Sequence, residues 1–258
     1  MYAGILTLYF AMATAGGDES ADRFPKPTGP ASKAAAQLKK AKSVESNQMP
    51  AIIKEAVKLL SPESPAGALL SAAAGSNQLP RVVENVAEML AFEPVREADL
   101  PHSFPPYTPV GAIEIKTYPK SRRAVADDFF TLFGHITGNN IAMTAPVRME
   151  FTRDEDGDLT QQSMAFYYPK VDIGEPGARG NVRTLDDDGE VVVAIGCRGE
   201  MNDKSIEEAR KHLQAWLKAN PEYELDGDVV AMGYNSPMIP KESNFFEVQL
   251  PVRKATGE

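Results

Sequence analysis

Cysteine is nearly absent from these 258 residues, Cys197 being the only one. An intrachain disulfide and any multi-cysteine metal site are therefore excluded. Cys197 stands in an apolar run and reads as a buried structural thiol, since only Arg198 beside it supplies the positive charge that a reactive thiolate needs. Histidine is almost as scarce, with three in the chain. No His-Glu-x-x-His pair, Gly-rich phosphate loop or Gly-x-Ser-x-Gly elbow occurs, which removes the commonest enzyme readings. Cationic excess is missing too. The chain has 27 Lys and Arg against 36 Asp and Glu, a net charge of -9, whereas a nucleic-acid surface needs clustered cations. The acidity reads as serving solubility. Long apolar runs are also lacking, and nothing approaches the roughly 20 residues of a membrane-spanning helix.

What is present is an ordinary apolar fraction of 43%, enough for a sizeable core. Ile5 to Ala15 is the one sustained apolar run. Its Ala13-Thr14-Ala15 ending fits a secretory signal, although no Lys or Arg precedes Arg23; a short apolar helix fits as well. The first alternative places the protein outside the cytoplasm or in the periplasm, the second inside the cell as a soluble protein. Residues 16–32, rich in Gly and Pro, read as linker. Residues 33–106 read as a helical extension followed by a Pro-rich connector. Pro50 and Pro80 open two short amphipathic helices, and the one through Val82, Val83, Val86, Met89 and Leu90 is expected to pack on the domain after it. A protein partner docking on these helices is the alternative.

From Ala112 to Pro251 one pattern is written twice. Strands Ala112–Tyr118 and Arg122–Ala126, a helix Asp128–Thr137, and strands Ile141–Phe151 and Met164–Tyr168 form the first copy. Strands Val182–Leu185 and Glu190–Cys197, a helix Asp203–Ala219, and strands Val229–Tyr234 and Phe245–Pro251 form the second. Each helix has a cap candidate, Asp127 or Asp128 and Asn202 or Asp203. Each also has one apolar stripe, so both are expected to cover a sheet. The acidic runs Asp154–Asp158 and Asp186–Gly189 read as hairpin turns. The fold class is α+β: duplicated β-α-β-β units forming a twisted antiparallel sheet or open barrel flanked by two helices, with an N-terminal helical extension.

Several of these segments carry a resemblance. Gly138-Asn139-Asn140 followed by Ile141-Ala142-Met143-Thr144-Ala145-Pro146-Val147, the later Met164–Pro169, the opening Val110–Pro119, and Tyr234–Pro240 with Phe246-Glu247-Val248 together resemble the SOUL/haem-binding-protein family over residues 107–253. The resemblance implies non-covalent binding of haem or another tetrapyrrole for transport, buffering or sensing, on a shallow apolar surface at the first helix. Carried over by position, the implied groups are Phe130, Thr131, Gly134 and His135 on that helix, with Met238 and Ile239 on the loop before the last strand. His135, expected to look outward, is the candidate iron ligand. Arg122 and Arg123, with Lys120 and Lys241, are candidate partners for propionates. His102 reads as solvated, and His212, flanking the Trp216 stripe, as a surface position of the second helix.

Three other readings stay open. A duplicated unit of this kind is also similar to GyrI-like domains, which implies a pocket between the copies for a different amphipathic small molecule. An interaction subunit without ligand would use the helical extension. A hydrolase would need Glu114, Tyr168, Tyr234 or Glu247 inside a pocket that shifts its pKa.

Overall fold

Proline starts each of the first four helices, where its missing N–H has no intrahelical use. They are α1 (Pro30–Ala41), α2 (Met49–Lys58), α3 (Pro65–Ala73) and α4 (Leu79–Leu90) in the computed structural model, which describes residues 24–41, 48–154 and 158–255. The apolar run at residues 1–15 lies outside the described residues, as do residues 16–23 of the linker. Helix α1 begins at Pro30 and so takes in the last three residues of the stretch whose composition predicts linker. The buried faces of α1 and α3 are largely alanine, and both helices pack on α2 and α4. Ala31, Ala34, Leu38, Ala56, Leu70 and Val86 share one core that also takes in Ala112 at the edge of the following domain. The expected docking of α4 is made by Met89, whose methyl group lies 2.6 Å from where a Cβ on Gly111 would stand.

Ten strands follow: β1 (Ile113–Tyr118), β2 (Ser121–Ala126), β3 (Val147–Arg153), β4 (Leu159–Tyr167), β5 (Gly177–Arg179), β6 (Val182–Asp187), β7 (Glu190–Arg198), β8 (Tyr223–Leu225), β9 (Val229–Gly233) and β10 (Phe245–Lys254). Helix α5 (Phe129–Gly138) lies between β2 and β3, and α6 (Asp203–Ala219) between β7 and β8. The sheet order is β1-β7-β10-β9-β3-β4-β2-β6-β5, every strand pair antiparallel, with β8 attached to β10. If β1 is exchanged with β6, β2 with β7, β3 with β9 and β4 with β10, the order of those eight strands reads the same from the other end. The sequence pattern written twice is thus a pseudo-twofold sheet, with β3 against β9 at its centre.

Strand period decides which side chains meet which layer. On one face α6 covers Val193, Ile195, Ala231, Phe246, Val248 and Leu250 with Ile206, Ala209, Leu213 and Trp216. Helix α5 covers Ala124, Ala126, Phe166 and Val182 with Leu132 and Ile136. Asp128 and Asn202 are the caps, accepting from Thr131 N and Ser205 N respectively.

The opposite face is covered as well. The Pro-rich connector crosses it and packs Phe104, Tyr107 and Val110 on Tyr118, Tyr167, Ala194, Val230, Met232 and Phe245. That is why Val191–Cys197 reads as an unbroken apolar run: both sides of β7 are buried.

Two expectations are corrected. The alternation from Ile141 predicts a single strand to Phe151, but the ladder starts at Val147. Residues 141–146 leave the sheet through a cis Ala145–Pro146 peptide, and Ala145 N donates instead to Asp99 O on the connector at 2.9 Å. Of Asp154–Asp158, residues 155–157 lie outside the described residues; the strands on either side, β3 and β4, pair with each other. Asp186–Gly189, in contrast, is no hairpin. It links β6 to β7, which pair with β2 and β1 respectively, so the link crosses from one half of the sheet to the other. Gly189 is required there, with φ +96° and a Cβ position only 2.6 Å from Tyr118 O.

Candidate functional site

Helix α5 presents three kinds of surface. Leu132 and Ile136 face the sheet. Phe130 points away from it and is 62% exposed, while Gly134 and Gly138, one and two turns further on, have nothing within 4 Å of the point a Cβ would occupy. His135 sits on the flank. The helical projection predicts an outward ring, but Nε2 lies 2.7 Å from the Tyr168 hydroxyl, and that hydroxyl lies 3.3 Å from Thr184 Oγ1. Burial, reinforced by the charge of Arg179, lowers the His135 pKa and so favours the neutral imidazole. Thr131 is committed to the cap, with both its N–H and its hydroxyl bonded to Asp128.

Of the candidate cations, Arg122 and Arg123 are drawn into the protein's own ion pairs, whereas Lys120 and Lys241 stay exposed. Arg122 and Arg123 are neighbours on β2 and therefore lie on opposite faces of the sheet. Arg122 binds both oxygens of Asp186 and donates to the carbonyls of Ile173 and Gly174. Arg123 binds Asp187 and Glu150 on the connector-covered face. Each guanidinium already has carboxylate partners, and Lys120 and Lys241 pair with Asp188 and Glu200. Sequence reasoning missed Arg179, which ends β5 beside His135 and donates to Asn139 Oδ1 at 3.1 Å. Its signal in the sequence is faint: a lone arginine in a Gly-rich stretch that carries no apolar alternation.

Met238 and Ile239 belong to the link between β9 and β10. Met238 is 61% exposed. The start of that link is held by the connector, since Glu97 accepts from Ser236 N at 2.6 Å and from Ser236 Oγ at 2.7 Å. Among the described residues no hydrogen bond or ring contact joins Met238 or Ile239 to α5. His102 is exposed, as expected, whereas His212 is partly buried and binds Glu63 O at 2.8 Å, tying α6 to the helical layer.

A second polar cluster lies under the connector. Glu247 is fully buried and accepts from Lys116 Nζ at 2.9 Å with each oxygen, from Thr108 N at 2.7 Å, and from Gln249 Nε2 at 2.6 Å. Tyr118 and Tyr234 flank it, and burial beside this carboxylate raises both phenols well above their ordinary range. Alongside, Arg148 bridges Glu150 and Glu190 and reaches the Tyr167 hydroxyl. Glu114 also sits in a buried position, which raises its pKa. A ligand lying between the two copies would have to displace Phe104 and Tyr107 from this face.

Among the described residues no group of three or more His, Cys, Asp and Glu side chains is placed to hold a metal ion, and no helix is long and apolar enough to cross a membrane. What the α5 surface offers a flat, iron-bearing ligand is one neutral imidazole, one exposed phenyl ring and an open backbone stretch. Those residues fit a tetrapyrrole.

Among solved structures the chain is similar to the EcmrR C-terminal domain, with 15% identity, a TM-score of 0.41 and coverage of 55% of this chain and 98% of that one. A hydrolase from Listeria innocua gives 12%, 0.43, 57% and 94%, and SAV2435 bound to tetraphenylphosphonium gives 9%, 0.33, 55% and 93%. Likenesses this distant bear on neither ligand nor activity. No curated protein matches in sequence. The SOUL heme-binding protein family matches residues 100–250, a span that takes in the inner connector, all of β1 to β9 and both sheet-covering helices. This chain belongs to the SOUL heme-binding protein family.

Proposed function

We propose that the domain binds a tetrapyrrole, with haem as the leading case, non-covalently on the outer surface of α5. The observation that carries this reading is His135, a neutral imidazole at the edge of a helix whose exposed side bears Phe130 and an open stretch at Gly134. Haem supplies an iron that takes a neutral imidazole nitrogen, and its macrocycle needs apolar contact. In this reading Phe130 and Gly134 carry the flat contact and His135 is the iron ligand. Tyr168 keeps its hydrogen bond to Nε2 and so orients the ring, leaving Nδ1 for the iron. Thr131 holds the helix start, and Met238 and Ile239 stay outside the contact.

The test is a haemin titration followed in the Soret region. Wild type is expected to saturate near one equivalent. His135→Ala should change the band position as well as the affinity, and Phe130→Ala should weaken binding by about tenfold, the equivalent of about 1.4 kcal/mol of apolar contact. A wild type showing only the slope of free haemin overturns the proposal. An unchanged band in His135→Ala removes His135 as ligand.

A further inference from the structure

We propose that Arg179 is the specificity-determining cation of the α5 surface, recognising a carboxylate on the edge of the bound ligand; this rests on the tetrapyrrole reading above. Arg122, Arg123, Arg148, Arg153, Arg210 and Arg253 each bind a carboxylate of the protein itself. Arg179 meets none among the described residues, and unlike Arg183 and Arg198, for which the same holds, it is tied to the end of α5 through Asn139. It is held at the end of β5, where it pairs in register with Val182, and by one neutral hydrogen bond to the Asn139 side chain amide. Asn139 in turn caps α5 and donates from Nδ2 to His135 O at 2.7 Å. The exposed guanidinium is thereby fixed next to the candidate iron ligand without its charge being neutralised. A guanidinium has five N–H donors in a planar fork that matches a carboxylate two-at-a-time. A tetrapyrrole carrying propionates would offer such a group, and its uncharged esters would not.

A plain alternative is that Arg179 serves as a positive charge at the C-terminus of α5, stabilising the helix. The experiment separates the two. Wild type, Arg179→Ala and Arg179→Lys are titrated with haemin and with haemin dimethyl ester, and each protein is melted without ligand. Arg179→Ala is expected to weaken haemin binding by roughly tenfold or more, as for loss of a charged hydrogen bond. It should leave ester binding and the melting temperature unchanged, and Arg179→Lys should fall between Ala and wild type. Equal haemin affinity in wild type and Arg179→Ala overturns this inference while the tetrapyrrole reading stands. Equal losses for haemin and its ester, with a lowered melting temperature, assign Arg179 to helix stability and overturn it too. A wild type that takes up neither compound overturns the tetrapyrrole reading, and this one with it.

Discussion

The backbone N–H of Thr108 donates to Glu247 Oε1 at 2.7 Å, joining two residues 139 apart in sequence. Through that bond the connector is fastened to the same carboxylate that neutralises Lys116, whose side chain is only 5% exposed. The connector and the buried ion pair are therefore one structural unit. Glu247→Gln keeps the shape but leaves a buried ammonium without its counter-charge, and should cost about 3–5 kcal/mol. Adding Lys116→Met to that variant should recover most of the loss. Urea unfolding midpoints measure both; a single variant within about 0.5 kcal/mol of wild type, the range of an ordinary surface change, would contradict the ion pair.

Phe104 anchors the connector edge-on to Tyr118 at 5.0 Å and to Tyr167 at 4.8 Å between ring centroids. Phe104→Ala should cost about 3–5 kcal/mol, as for other buried phenyl rings. It should also make residues 92–110 a preferred site for limited proteolysis. Gly196→Ala attacks the same seam from the sheet side, because its Cβ would stand 2.2 Å from Thr108 O. Both variants should show the same early cleavage by mass spectrometry, and cleavage elsewhere first would speak against the connector as the weak point.

Glu150 ties part of the stability to pH. Burial alone would raise its carboxyl, but the Arg123 hydrogen bond and the Arg148 charge outweigh burial and hold it down to about 2. Its folded value lies below the ordinary 4.5. The stabilisation is thus complete above pH 4.5 and is lost as pH falls toward 2. In Glu150→Gln the decline of stability across that window should be shallower than in wild type, as read from melting temperatures at a series of pH values. Identical slopes would contradict the assignment.

Cys197 should be chemically quiet. Burial pushes its thiol up to about 12, and Glu247 nearby adds to the shift. Native protein at pH 8 should react with a disulfide reagent such as DTNB far more slowly than the same protein in denaturant. A full equivalent of thiol released within seconds from the native state would sink this expectation.

The duplicated pattern was legible because strand and helix periods are local and because each helix carries its own cap, Asp128 or Asn202. Burial of α6 through Ile206, Leu213 and Trp216 followed from spacing alone. The site was less legible, for reasons that lie in tertiary structure. The direction of the His135 ring depends on Tyr168, 33 residues away, and not on helical phase. Arg122 and Arg123 look like rim charges in sequence because their partners Asp186, Asp187 and Glu150 come from other strands. Proline-rich segments read as connectors, and nothing in the composition of residues 93–109 says that Phe104 and Tyr107 would line a sheet.

The strand order has a consequence for how the protein can be made. Within the duplicated region neither unit closes on itself, since β1 is completed by β7 of the second unit and β2 by β6. Each unit pairs three of its own strands, β3-β4-β2 or β9-β10-β7, and leaves the fourth to the other unit. A nascent polypeptide would hold β1 unpaired until roughly eighty further residues had been synthesised, and would gain the Thr108 anchor only once β10 arrived. Assembly dominated by such distant pairings is slow, so this protein should depend on protection during synthesis more than its size suggests, and two separately expressed halves should recover the native sheet only when refolded together.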